Sequence, residues 1–122
     1  MTIKKYKITE NNITYDVEEY SSGNKYWYIN GKYHRENGPA IESKNGDKWW
    51  YVNDELHREN GPAVEHYDGS KEWYKNDKSH RYDGPAKEWA AGSVEYWYNG
   101  NYLYNINSDK ELKRYIKLIS IS

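Results

Sequence analysis

Ala63-Val64-Glu65-His66-Tyr67-Asp68-Gly69-Ser70-Lys71-Glu72-Trp73-Tyr74-Lys75-Asn76-Asp77-Lys78-Ser79-His80-Arg81 reads as strands and turns, with no room for a helix. β-formers fill the gaps between turn residues, and the turn residues arrive too often for helical periodicity. Ala63 to Tyr67 is a short strand. Asp68-Gly69 is a two-residue hairpin signal of the type I′ kind, because that turn needs positive φ and Asp and Gly tolerate it. Ser70 to Lys75 is the return strand, Asn76-Asp77 a second turn, and Lys78 to Arg81 a brief extended piece. Tyr82-Asp83-Gly84-Pro85 then turns the chain onward.

The same sentence is written several times. His34-Arg35, His57-Arg58 and His80-Arg81 recur at a constant step of 23 residues, and each pair is followed by Gly-Pro-Ala, at Gly38, Gly61 and Gly84. Gly23, Gly46, Gly69 and Gly92 keep the step, as do Asn30, Asn53, Asn76 and Asn99. Trp27, Trp50, Trp73 and Tyr96 form one aromatic column, and Tyr28, Tyr51, Tyr74 and Trp97 the next. Many columns sharing one period mark a tandem repeat. A single hairpin cannot bury its own face, but stacked hairpins cover one another. Adjacent columns point to opposite faces of a strand. Trp27, Trp50 and Trp73 are therefore expected in the core, and Tyr51, Tyr74 and Trp97 on the more open face.

The ends differ from the repeats. Ile3 to Thr9 is expected to pair with Ile13 to Tyr20 around Glu10-Asn11-Asn12. The fourth unit decays, with Leu103-Tyr104 in place of His-Arg. Ser108-Asp109-Lys110-Glu111 matches a capping box that opens a helix, with Leu112, Tyr115, Ile116 and Ile119 on one side. The whole reads as one mainly β domain over residues 1–122. An N-terminal capping hairpin spans 1–22, the antiparallel hairpin repeats 23–107 and a C-terminal capping helix 108–122.

Composition narrows the function. The 122 residues include 6 Trp and 15 Tyr, which argues against disorder despite a hydrophobic fraction of only 36%. The formal charge is −1, which gives no general pull toward nucleic acid or an anionic membrane. No cysteine is present, excluding disulfides, thiolate nucleophiles and cysteine-based zinc sites, and fitting a cytoplasmic protein. No signal peptide or membrane-spanning stretch is read at Met1 to Lys7 or elsewhere.

Catalytic chemistry finds no foothold. Serines sit in turns or at the C-terminus, without a nucleophile-elbow context. The repeated Glu42, Glu65 and Glu88 read as an ion-paired strand face rather than a glycosidase carboxylate pair. Histidines of successive units stand about 10 Å apart or more if each unit adds two strands, so no metal site and no cofactor is expected. His34, Arg35, His57, Arg58, His80 and Arg81 are read as structural, the imidazole satisfying a turn carbonyl and the arginine pairing with the glutamate column.

Departures from the repeat are the better binding candidates, because the fold does not require them. Trp49 stands where its column has Tyr26 or Glu72, and Trp89 where its column has Ser43 or His66. Together with Tyr51, Tyr74 and Trp97 they suit protein recognition, since aromatic side chains give large contacts at low entropy cost. A carbohydrate or single-stranded nucleic acid stacked on exposed rings is the alternative, suggested by Lys25-Tyr26-Trp27 and Lys48-Trp49-Trp50. A self-assembling or membrane-associated repeat protein is a third, with a second copy of the chain among the candidate partners. The tail from Ser108 is too short and weakly charged to hold a membrane by itself.

Tyr26 to Lys32 followed by His34 to Ala40 resembles a repeat of phage, giant-virus and bacterial proteins, similar to the MORN class. The resemblance covers roughly Gly23 to Gly100. It implies a meandering hairpin sheet and an interaction or scaffold role. By analogy with viral repeat proteins it further suggests a phage product that inhibits a host factor such as a defence system.

Overall fold

In a computed structural model describing residues 2–120, the chain is one long antiparallel meander closed by a helix. Strand β1 (Ile3–Glu10) pairs along its whole length with β2 (Ile13–Tyr20). Asn11 and Asn12 make the reversal at φ values of 48° and 67°, the left-handed pair that a two-residue type I′ turn demands. β2 pairs with β3 (Lys25–Ile29), and the ladder continues strand by strand to Val94–Glu95. The expected mainly β fold with a C-terminal helix is what the chain adopts. Helix α1 (Asp109–Ser120) opens on Ser108, whose Oγ accepts the Glu111 N–H at 3.1 Å. The expected extension of the helix through 121 and 122 lies outside the described residues, as does Met1 of the N-terminal hairpin.

Two turn readings need correction. Asp68-Gly69 is not a two-residue turn. His66 and Ser70 are joined by a bond from His66 N–H to the Ser70 carbonyl, leaving a three-residue loop in which Gly69 alone has positive φ, at 96°. Asp68 instead accepts the Ser70 N–H at 2.8 Å, which fixes the loop from inside. The second correction concerns the segment around Gly-Pro. The Trp50 N–H donates to the Ala63 carbonyl at 2.8 Å, and the Trp50 carbonyl accepts the His57 N–H at 3.0 Å. Both groups of one residue point to the same side of a strand. His57 and Ala63 therefore lie on one neighbouring strand line, and residues 58–62 leave the sheet as a side loop. Trp27 and Trp73 repeat the arrangement with His34 and Ala40, and with His80 and Ala86. In the first unit Lys25–Ile29 runs unbroken through Trp27, whereas in the second and third units the return strand is not continuous. It splits at the tryptophan into a piece in the main ladder and a piece in a two-stranded ribbon, such as Tyr74–Lys75 with Lys78–Ser79.

The side loop explains the repeated His-Arg and Gly-Pro-Ala. Each arginine folds back over the tryptophan of its unit, with guanidinium to ring-centre distances of 3.6 Å for Arg35 on Trp27 and 3.9 Å for Arg58 on Trp50 and Arg81 on Trp73. Such a stack contributes about 0.5–2 kcal/mol. On its other side the guanidinium lies against a glycine. A Cβ on Gly38 or Gly84 would come within 2.8 Å of the arginine Cζ, so any larger residue there would push the guanidinium off its stack. Arg58 Nη1 donates to the Pro62 carbonyl at 3.0 Å and to Glu65 at 2.9 Å, and Arg81 does the same with Pro85 and Glu88. The alanine that ends each motif, at 40, 63 and 86, is fully buried.

The histidines serve the junction between units, though not by bonding a turn carbonyl. Nδ1 of His34, His57 and His80 receives the backbone N–H of Asn53, Asn76 and Asn99 at 3.2, 3.1 and 2.9 Å. A type I′ turn leaves the N–H of its first central residue without a ladder partner, and the preceding unit's imidazole supplies the acceptor.

The tryptophan side of the sheet is the core side. Trp27 is 2% exposed and Trp50 8%, whereas Trp73 is half-buried, less than the expected ladder of core rings. Trp27 packs edge-on against Tyr15 at 5.5 Å, beside Val17 and Ala40. At the far end Tyr96, Leu103 and Leu112 form a second cluster. Tyr96 donates its hydroxyl proton to Asp109 at 2.8 Å, which ties the helix to the last unit.

Candidate binding face

Register decides what each face carries. Residues directly opposite in an antiparallel ladder share a face. One row runs Lys4, Glu19, Lys25, Glu42, Lys48, Glu65, Lys71, Glu88, alternating base and acid at every step. Each opposed pair contributes about 0.2–1 kcal/mol. This row lies on the core side, where the arginines reach its glutamates.

The neighbouring row lies on the other face. It runs Lys5, Glu18, Tyr26, Ile41, Trp49, Val64, Glu72, Lys87, Glu95. Two residues along each strand, on that same face, come Tyr28 with Tyr33, Tyr51 with Leu56, Tyr74 with Ser79 and Trp97 with Tyr102. Tyr33 stacks with Tyr26, Tyr28 and Tyr51 at ring separations of 6.1, 5.1 and 5.3 Å. The result is an aromatic strip, with rings in contact from Tyr26 to Tyr51 and again at Trp97 and Tyr102, and with Leu56 and Ser79 between.

The five candidate side chains Trp49, Tyr51, Tyr74, Trp89 and Trp97 all fall on this face. Each is half-buried rather than freely exposed, because its neighbours hold it. Tyr74 donates to Glu72 at 2.7 Å, and burial followed by that bond pushes its hydroxyl up to about 12. Glu72 also meets His66 at 2.7 Å. Burial pushes the Glu72 carboxyl up, but its bonds to His66 and Tyr74 outweigh that and hold it below the usual carboxylate range. Trp97 Nε1 donates to Glu95 at 2.9 Å, Trp89 Nε1 donates to the same carboxylate at 3.4 Å, and Lys87 sits 5.1 Å from the Trp97 ring centre. Toward the N-terminus the face opens into a hollow of about 560 Å³ lined by Lys5, Lys7, Asp16, Glu18 and Tyr28. Burial and the nearby Tyr33 and Glu18 push the Tyr28 hydroxyl far up.

Alternation also separates the lysines from the rings. Lys25 and Lys48 belong to the charged row on the core side, each opposite a glutamate, whereas Tyr26 and Trp49 point the other way. The interleaving that suggested a nucleic-acid binder therefore builds no basic groove on the aromatic face.

Sequence reasoning passed over the most exposed rings. Tyr67, Tyr82, Tyr102 and Tyr104 are all at least half-exposed. Tyr82 was findable by the rule that singled out Trp49, since it interrupts a column holding Glu36 and Glu59. Among the described residues no helix is long and apolar enough to cross a membrane, and no group of three or more His, Cys, Asp or Glu could hold a metal ion. No family model, no curated protein and no solved structure matches the chain.

Proposed function

We propose that this is a non-catalytic binding protein that docks a protein partner on the aromatic face. One observation carries the reading. Rings from three successive units and the last, degenerate one are gathered on one side of the sheet. They are pre-ordered by stacking and by hydrogen bonds to Glu18, Glu72 and Glu95. Binding through such rings costs little conformational entropy, which is why aromatic side chains dominate protein contact sites. The resemblance of the unit to MORN-like interaction modules supports the same reading. A cytoplasmic phage product that inhibits a host factor such as a defence system is the specific form we favour.

Affinity capture from bacterial lysate with the wild-type chain and with the Trp49→Ser and Trp97→Ser variants tests this. The expected result is one stoichiometric protein retained by the wild type and lost from both variants, with unchanged circular dichroism. Retention by all three, or tryptophan quenching by oligosaccharide with no protein retained, overturns it.

A further inference from the structure

On the opposite, core side, successive side loops enclose grooves. One lies between the first and second loops, with Trp50, Val52 and His57 at its base. The next lies between the second and third loops, over Trp73, Lys75 and His80, with a volume of about 390 Å³. The two grooves are built by equivalent residues, so their differences are informative.

In the second unit His57 Nδ1 receives the Asn76 N–H, so the neutral ring carries its proton on Nε2. That proton goes to Glu59, two residues on, at 2.8 Å. His34 and Glu36 form the same pair at 3.3 Å. In the third unit the tautomer is again set, by Asn99 at 2.9 Å. The residue two positions on is now Tyr82, which is 67% exposed. The His80 ring packs against Tyr98 at 4.5 Å, and its Nε2 bonds no described residue. The groove has changed at a second place too, with Lys75 where the neighbouring groove has Val52. Lys75 adds one positive charge to the groove, while the number of carboxylates stays the same: Glu59 lines both grooves, Tyr82 takes the place of a glutamate, and Asp83 that of Asn60. Asp83, which replaces Asn60, is engaged by Arg81 Nε at 2.8 Å.

We propose that this groove takes an acidic side chain, Asp or Glu, of a protein partner, in the position that Glu36 and Glu59 fill in the earlier units. The incoming carboxylate accepts the His80 Nε2–H, lies near Lys75, and packs its stem between Trp73 and Tyr82. Charge-assisted bonds of this kind are about twice as strong as neutral ones. The site is on the face opposite the aromatic strip, so it stands or falls independently of the function proposed above.

The test is an NMR titration of the full chain, following the His80 ring signals. The probe is a capped peptide alternating alanine and glutamate, Ac-AEAEAE-NH2, and the control is its glutamine counterpart. The proposal expects a saturable shift with the glutamate peptide and none with the glutamine one. The Tyr82→Glu variant restores the internal carboxylate and keeps the fold, and it should weaken peptide binding about tenfold or more. Equal shifts from both peptides, no shift at millimolar peptide, or undiminished binding to Tyr82→Glu would each overturn it.

Discussion

Nδ1 of His57 accepts the backbone N–H of Asn76 across the junction between two repeat units, at 3.1 Å. The bond exists only while Nδ1 is unprotonated, and its equivalents at His34 and His80 join the other units. These bonds tie each unit to the next along the array.

The dependence on an unprotonated Nδ1 has a sign. Burial, and secondarily the charge of Lys75, hold the His80 imidazole below its ordinary value of 6.5. The unfolded chain binds a proton that the folded chain refuses, so stability rises with pH. The contribution is complete above the ordinary value and is lost as pH falls through the lowered one. Thermal melts between about pH 7 and pH 5 should show the wild-type midpoint falling more steeply than that of His80→Gln. Parallel slopes would contradict this assignment.

The arginine of each side loop is held by shape as much as by charge. Arg58→Lys keeps the charge but loses the flat stack on Trp50 and the fork between Pro62 and Glu65. A loss of about 1–3 kcal/mol is expected in urea unfolding. Gly61→Ala should also destabilise, because its Cβ would meet the Arg58 Cζ at 3.0 Å.

At the C-terminal end Leu112 is fully buried between Tyr96 and Leu103. Leu112→Ala should cost about 2–5 kcal/mol, and Tyr96→Phe, which removes only the bond to Asp109, about 1 kcal/mol. Proteolysis should then begin at the helix rather than in the repeats.

Among the described residues β1 pairs with β2 alone, which leaves a long outer edge. A second copy pairing antiparallel on that edge, with like faces aligned, would set Lys7 against itself or Lys5 against Lys7. Like charges directly opposite are destabilising, and edge lysines block such pairing in general. Sedimentation should therefore show no concentration-dependent dimer through this edge. The Lys5→Thr, Lys7→Thr double variant should gain one.

Much of this was legible in the sequence because a repeat states each rule several times. The 23-residue step announces the hairpins, and the alternation of Trp50 with Tyr51 announces the two faces. The arginine and glutamate columns announce their own pairing. The side loop was not legible. Gly61-Pro62 has the chemistry of a chain reversal, and only the bonds of Trp50 to both His57 and Ala63 reveal that the same strand resumes. The histidine role was missed for a related reason, since a free turn N–H belongs to a neighbouring unit that local sequence does not show. The aromatic strip lay between these cases. Its columns were visible, but the position of Trp49 beside Val64 rather than beside Lys48 follows from register alone.

The partner of the proposed function meets the aromatic face. A photo-reactive benzoylphenylalanine placed at Trp49, and in a second protein at Lys71 on the opposite face, tests it directly in lysate. A single protein adduct at high yield is expected from position 49 and little from position 71. Adducts of equal yield from both, or from position 71 alone, would contradict it.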